Sequence, residues 1–347
     1  MSIRVARGGM LTSLQDLGRW KNQRYGVVVG GGMARLALRA ANWLVGNEED
    51  EAALEMAVVG PTLQFECDAL VAACGADFAP RLGDQSFPGW RPVFVRRGSV
   101  ITFGSAAAGC YGYLAIAGGF DVPFVMGSRS TYLRAGIGGF SGRCLQADDV
   151  LPTRAAAPHC QQLIRRLSEQ HPTASLLAPP WHVRPAASYV TTPCTVRVIL
   201  GSEFDWLTPA NQEQFLAAEF AVTADSDRMG YRLSGVPLAL ESPRELESAA
   251  TCCGTLQLPA GGNPILLMAD CATTGGYPKI AHVVTADLPL VAQLRPGAKI
   301  RFAQVSLAAA HELYRELEHS LQLLKCGIQC KLAGEPADDS FREPQEK

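Results

Sequence analysis

The sequence predicts a β-rich α+β protein of two lobes closed by a C-terminal helix, and three observations predict it. Short runs of β-branched, aromatic and small apolar residues alternate with glycine-containing turns through the first half. A proline-dense stretch separates that half from a second unit. Near the end, apolar residues recur at helical spacing.

In chain order, residues 27–29 and 62–65 are short candidate strands, and 93–95 and 100–103 flank the charged turn Arg96-Arg97-Gly98. Residues 113–117 form a buried strand that stops at Gly118-Gly119. Strands this short, rich in glycine, suit curved sheets or barrels. Met33, Leu36, Ala37, Ala40, Ala41 and Leu44 define one helical face, with Gly46-Asn47 as its stop. Prolines 152, 158, 172, 179, 180, 185 and 193 mark residues 152–193 as a connecting segment, interrupted by a short helix at 161–168. A strand at 196–200 opens the second unit. Thr208-Pro209 supplies an N-cap and first turn for a helix through Phe220, and 287–294 form another short helix. Leu307, Ala310, Leu313, Tyr314, Leu317 and Leu321 place a closing amphipathic helix at 306–324. The organisation is a lobe at 1–151, a connector at 152–193, a second lobe with the closing helix at 194–332, and a loose tail at 333–347.

The 347 residues carry 31 basic and 33 acidic side chains, a net charge of -2, which offers no long-range attraction for nucleic acid or an anionic membrane. No apolar run reaches the roughly 18–20 residues a membrane span needs, and the N-terminus has no leader-like apolar core. Most of the eleven cysteines sit beside apolar residues, as small hydrophobes do. A cytoplasmic location is expected. Cys252-Cys253 and the spacing of Cys326 and Cys330 lack the paired pattern of a zinc site, and the six histidines form no metal-binding cluster, so no metal is expected. His311 and His319 are expected to face solvent on the closing helix.

The densest chemistry lies at 268–279, where Asp270, Thr273, Thr274, Gly275, Gly276, Tyr277 and Lys279 follow an apolar run. Paired glycines admit close backbone approach to a ligand; a turn whose side chains bond their own backbone is the alternative. Three further groups carry polar chemistry: Gln15, Asp16 and Arg19; Ser128, Arg129 and Ser130; and Arg228, Tyr231 and Arg232. Arg129 can grip a carboxylate or phosphate with two donors, and each of the three groups can instead be a structural turn. Glu55 in an apolar context needs a paired donor, with Arg19 or the Asn42 amide as candidates. Gln257 lies in a core-like strand and must bond backbone or ligand. Gly30-Gly31-Gly32 before a helix can place donors near an anion or act as a flexible helix start. No Walker loop, dinucleotide fingerprint or nucleophile elbow occurs.

Seven ordered stretches resemble the biotin-dependent carboxyltransferase-like family, which includes a component of bacterial 5-oxoprolinases and proteins called allophanate hydrolase subunit 2. They are Gln15-Asp16-Leu17-Gly18-Arg19, Ala41-Asn42-Trp43-Leu44-Val45-Gly46-Asn47, the stretch 113–123, Met126-Gly127-Ser128-Arg129-Ser130-Thr131, Gly136-Ile137-Gly138-Gly139, the stretch 227–233, and Asp270 with Thr273-Thr274-Gly275-Gly276-Tyr277-Pro278-Lys279. The resemblance implies a cyclophilin-like barrel, two partners (the A and B subunits of 5-oxoprolinase), and ATP-dependent opening of 5-oxo-L-proline to L-glutamate by the complex, with this chain inactive alone. It leaves open a biotin-dependent carboxyltransferase acting on urea or a related amide, and a noncatalytic regulatory protein. No Met-Lys-Met motif occurs, so the chain carries no attached biotin.

In that setting Arg129, Arg228 and Arg232 are candidates to hold a substrate carboxylate, Asp270 to orient a polar hydrogen, and Thr273 and Thr274 to donate. Tyr277 can cover the ring, Lys279 can favour an anionic intermediate, and Tyr231 and Gln257 can line the substrate. Gln15, Asp16, Arg19, Asn42 and Glu55 are expected to brace them, and the polar loops are expected to line one cleft. The chain departs from the family at Ala34, where an aspartate is usual, and at Ala272, where a glutamine is.

Overall fold

The computed structural model describes residues 1–183, 192–242, 244, 246–333 and 341–344. Two compact units divide the chain: Met1–Gly18, Ala34–Ser188 and Leu321–Lys347 form the first, Arg19–Met33 and Tyr189–Ser320 the second. Neither unit is a single run of sequence.

The first unit holds two antiparallel six-stranded sheets. One runs Val150–Pro152, Ser2–Arg7, Thr62–Phe65, Val100–Thr102, Arg81–Leu82, Gln85–Ser86. The other runs Leu176–Leu177, Val93–Val95, Ala69–Asp77, Ala108–Ile116, Ala53–Ala57, Leu11–Gln15. Strand Ser2–Arg7 alternates, burying Ile3 and Val5 between more exposed neighbours, as a strand with one face on the core does. Strand Ala53–Ala57 is buried at every position, so both of its faces are covered. Ile3, Val5, Leu63, Phe65, Val71, Val93, Ile101 and Leu114 belong to one continuous core. Helix Arg35–Leu44 lies against Ala69–Asp77 and Ala108–Ile116; Ala37, Ala40, Ala41 and Leu44 of the expected apolar face are buried, whereas Leu36 is half-buried and Leu38, outside that face, is buried.

The proline-dense stretch is structured. Pro158 opens helix Pro158–Gln170, longer at both ends than the expected 161–168 because proline is favoured in a first turn. Leu176–Leu177 then pairs with Val93–Val95, so the stretch through residue 183 belongs to the first unit; its remainder through residue 191 lies outside the described residues. Residues 27–29, expected as a strand, take no strand pairing. Of the expected loose tail, 334–340 and 345–347 lie outside the described residues. Phe341 is buried, and Arg342 exchanges two backbone hydrogen bonds of 2.9 Å with Ala178, so this part of the tail is seated.

The second unit is a closed barrel of seven strands, in order Cys194–Leu200, Lys279–Val283, Thr255–Gln257, Ile265–Leu267, Gly230–Ser234, Phe220–Val222 and Lys299–Gln304. Closure comes from a parallel pairing of Cys194–Leu200 with Lys299–Gln304, which leaves no free edge. Thr208 caps helix Pro209–Ala217 by accepting from the Asn211 N–H, and the helix buries Phe215. Phe215 stacks on Phe302 at 4.9 Å, with Phe204 and Phe220 packed around it. The final helix spans Leu307–Ala333, longer than the expected 306–324. On its expected apolar face Ala310 and Leu321 are buried, whereas Leu307 and Tyr314 are exposed; His311 and His319 face solvent as expected. Among the described residues no helix is long and apolar enough to cross a membrane.

Candidate functional site

The polar residues singled out by sequence fall into two clusters, one in each unit. In the first unit the buried Asp16 carboxylate is a hub. Its Oδ1 accepts from the Gly18 N–H at 2.8 Å, the Ser128 hydroxyl at 2.7 Å and the Ser130 hydroxyl, and its Oδ2 from the Arg129 N–H. Neighbouring Gln15 donates through Nε2 to Ser13 Oγ and the Thr131 carbonyl. The loop 127–131 is thereby tied to the strand Leu11–Gln15.

The Arg129 side chain leaves this hub toward Phe124 and Glu51. The guanidinium lies over the Phe124 ring at 5.1 Å, and Nη1 stands 4.0 Å from Glu51 Oε1. Its Nε has no hydrogen-bond partner among the described residues. Glu51 is shared with Arg154, a partner that the sequence reading missed.

Behind this loop, the Tyr113 hydroxyl donates to Glu55 Oε2 and accepts from the Ala34 N–H at 2.7 Å. Tyr113 is the donor that the buried Glu55 needs; the Asn42 amide is engaged instead by the carbonyls of Glu49 and Glu51. The sequence reading missed Tyr113 because its strand looked wholly apolar. Ala34 is the N-cap residue of helix Arg35–Leu44 and offers no side-chain cap; the Tyr113 hydroxyl takes its N–H.

In the second unit Arg228 and Asp270 form a two-point pair, with Nε to Oδ2 at 2.8 Å and Nη2 to Oδ1 at 3.0 Å. Both side chains are largely buried. The backbones hold the pair in register, since the Asp270 N–H donates to the Arg228 carbonyl at 2.8 Å. Arg228 Nη2 also donates to the Gly31 carbonyl at 2.6 Å, and the Gly30 N–H donates to the Ala269 carbonyl. A Cβ on Gly30 would stand 3.3 Å from Asp270 Oδ1, so the glycine run packs close to this carboxylate. The run is therefore no phosphate cradle: its carbonyl faces a guanidinium and one of its N–H groups is already bonded. Arg19 is fully buried in the same unit, its N–H on the Val29 carbonyl.

Gln257 lies on the next barrel strand but one and is buried. Its Nε2 has no partner among the described residues, and a Cβ at Gly275 would come within 2.5 Å of it. The amide end of Gln257 therefore packs against the turn at Gly275. Thr274 is exposed and Thr273 half-buried on that turn, and Thr274–Gly275 pairs with Ala249–Ala250.

Other candidates have structural partners. Lys279 is buried with Nζ 4.0 Å from Glu203 Oε2, and its own N–H bonds the same carboxylate; Glu203 is a third partner missing from the sequence reading. The Tyr231 hydroxyl donates to the Ala292 carbonyl inside the barrel wall, a bracing position, whereas sequence had suggested the substrate. Arg232 and Tyr277 are exposed, and so is Ala272, whose carbonyl accepts from the Thr251 hydroxyl.

A family model described as "Carboxyltransferase domain, subdomain A and B" matches residues 25–304, and the chain belongs to that family. It is similar to the C subunit of the Haemophilus influenzae 5-oxoprolinase, 40% identical over 90% of this chain and 94% of that protein, and to its Escherichia coli counterpart, 38% identical over 89% and 93%. The solved Kluyveromyces lactis urea carboxylase superposes with a TM-score of 0.80 at 29% identity, covering all of this chain and 31% of that one. The chain thus spans about a third of that larger protein.

Proposed function

We propose that the chain is the C subunit of an ATP-dependent 5-oxoprolinase, acting with the A and B subunits in the cytoplasm to open 5-oxo-L-proline to L-glutamate. The observation that carries this reading is 40% identity maintained over nearly the full length of both proteins. We also read the seven-stranded barrel as cyclophilin-like.

The chemistry of the second unit suits a small cyclic amide. Asp270 offers acceptor capacity for the lactam N–H, with Arg228 holding the carboxylate in orientation. Gln257 Nε2, buried and unengaged, supplies a donor for the ring carbonyl, where charge grows during ring opening. Thr273 and Thr274 add hydroxyls beside the close-packed Gly275, and exposed Tyr277 and Arg232 are available to an incoming ring and carboxylate. In the first unit, Arg129 provides a further anion-binding group. Hydrolysis breaks the C–N bond of an unstrained ring, which makes the carbonyl a poor electrophile until its oxygen is activated. In the run Gly30-Gly31-Gly32 the Gly30 N–H and the Gly31 carbonyl are already bonded within the chain, and in this reading ATP chemistry belongs to another subunit.

The test is reconstitution. The three subunits mixed with ATP and 5-oxoproline should release glutamate, each subunit alone should not, and Asp270→Asn should reduce release at least about tenfold, as expected for loss of a hydrogen bond to a charged acceptor worth about 1.5–3 kcal/mol. Full turnover by the mixture lacking this chain would refute the reading. The match to urea carboxylase favours a second reading, carboxyl transfer to a small amide from biotin held on another protein. Strict dependence of product formation on a biotinylated carrier would select it.

A further inference from the structure

Cys252 and Cys253 have no part in the function above, and Cys252 occupies a specific environment. Residues 252–255 form a turn, with the Thr255 N–H on the Cys252 carbonyl at 3.1 Å. Cys252 is exposed, and its sulfur lies 3.5 Å from Thr255 Oγ1. That hydroxyl oxygen also accepts the Cys252 N–H at 3.4 Å and lies 3.2 Å from His282 Nδ1. A hydroxyl has one hydrogen and two lone pairs. In the His282 tautomer whose Nδ1 accepts, the hydroxyl can take the amide and the thiol on its oxygen and give its own hydrogen to the imidazole. The arrangement is a thiol–hydroxyl–imidazole relay.

The imidazole is suited to receive a proton. Burial, then the charge of Lys279, pull its pKa below the ordinary value, so the ring is neutral at pH 7. The neighbouring Cys271 thiol is excluded as nucleophile: burial, followed by the nearby Cys253 and Cys252, pushes its pKa up to about 12. Among the described residues no group of His, Cys, Asp or Glu side chains is placed to hold a metal ion.

We propose that Cys252 is a nucleophilic thiol that forms mixed disulfides with low-molecular-weight disulfides, assisted by proton transfer through Thr255 to His282. The Cys252 sulfur attacks one sulfur of R–S–S–R; a Cys252–S–S–R bond forms as the original S–S bond breaks. The thiol proton passes to Thr255 Oγ1 while the hydroxyl proton passes to His282 Nδ1. The leaving thiolate R–S⁻ is protonated by the imidazolium or by water, so Cys252 is oxidised and one half of the disulfide is reduced to R–SH. The site adjoins the loop of Asp270, because the Thr251 N–H and hydroxyl bond the Thr273 and Ala272 carbonyls.

The protein supplies its own controls. Cys326 and Cys330 are also exposed, on the last helix, and their thiols have no hydrogen-bond partner among the described residues. The fully reduced full-length chain is incubated with oxidised glutathione at pH 7, quenched with acid, and the adduct quantified at each cysteine by peptide mass spectrometry. Cys252 should react at least about tenfold faster than Cys326 or Cys330, below the roughly 10²–10⁴-fold of a directly positioned base because a hydroxyl intervenes. Thr255→Val should bring Cys252 to within about threefold of the two controls, removing most of a base-assisted advantage. Equal initial rates at the three cysteines of the unaltered chain would overturn the proposal without any variant. So would an undiminished Cys252 rate in folded Thr255→Val.

Discussion

Asp16 and Asp270 are equally buried aspartates, at 5% and 4% exposure, yet the two units satisfy them in opposite ways. Asp16 is surrounded by four neutral donors contributed by two stretches of chain, Gly18 and residues 128–130. Asp270 has one partner for its carboxylate among the described residues, the Arg228 guanidinium. A buried carboxylate must be bonded in either case, but the consequences differ. Spread over two hydroxyls and two backbone amides, Asp16 has little acceptor capacity left and acts as a fastener for the loop 127–131. Asp270 keeps lone pairs open, and its orientation depends on one residue. The difference separates a carboxylate fastened by several neutral donors from one whose setting depends on a single countercharge.

The sharpest break in that comparison is at Arg228. Arg228→Ala leaves Asp270 buried without its countercharge and should lower stability by about 3–5 kcal/mol, measured by urea unfolding of the isolated chain. Replacing both partners, Arg228→Met with Asp270→Leu, should recover most of that loss, since an apolar pair removes the uncompensated charge. A double variant no more stable than Arg228→Ala would show that the pair is not the source. At Asp16 the expectation is graded. Asp16→Asn turns an amide NH₂ toward donors and should cost about 2–3 kcal/mol, while Ser128→Ala removes one of four donors and should cost about 1 kcal/mol. No single partner change can rescue Asp16→Asn.

The contrast was only partly legible in the sequence. Periodicity located the helix Arg35–Leu44 and the strands Thr62–Phe65 and Val93–Val95, because apolar spacing is a local property. The division into units was not local: residues 19–33 group with the barrel and the last stretch of the chain with the first unit, and no spacing rule links positions so far apart. Proline density at 152–193 suggested a connector, but proline breaks helices without preventing one from starting, as Pro158 shows. The polar groups were legible as groups and not as partnerships. Asp16 and Ser130 are 114 residues apart, and Arg228 and Asp270 are 42 apart. Tyr113, Glu203 and Glu51 carried no signal, since a tyrosine in an apolar strand and glutamates in ordinary turns look like any others.

Gln257 sharpens the ligand side of the comparison with a smaller effect on stability and a larger one on function. Its Nε2 is buried with no partner among the described residues, so Gln257→Met removes no hydrogen bond there and should change unfolding free energy by less than about 1 kcal/mol. In the reconstituted complex the same variant should lower kcat/KM by at least about tenfold, equivalent to about 1.4 kcal/mol of lost transition-state binding. A fall in stability with unchanged kcat/KM would make Gln257 a structural residue like Gln15.

The smallest expected effect is a difference in acid response between the two units. In the barrel, His282 has a depressed pKa, caused first by burial. A group harder to protonate when folded contributes stability above its unfolded pKa, about 6.5 for histidine, and loses it as pH falls toward the folded value. In the first unit Asp149 is depressed mainly by its hydrogen bonds from Arg143, at 2.7 Å. Its contribution is present above about pH 4 and disappears only as pH falls further, through its folded value. Hydrogen exchange, corrected for intrinsic pH dependence, should therefore show protection falling in Lys279–Val283 below about pH 6.5 while Ser2–Arg7, which pairs beside Asp149, stays protected until about pH 4. His282→Gln should flatten the first of these slopes and leave the second unchanged. Simultaneous loss of protection in both strands in the wild-type chain would mean that the units do not respond to acid independently.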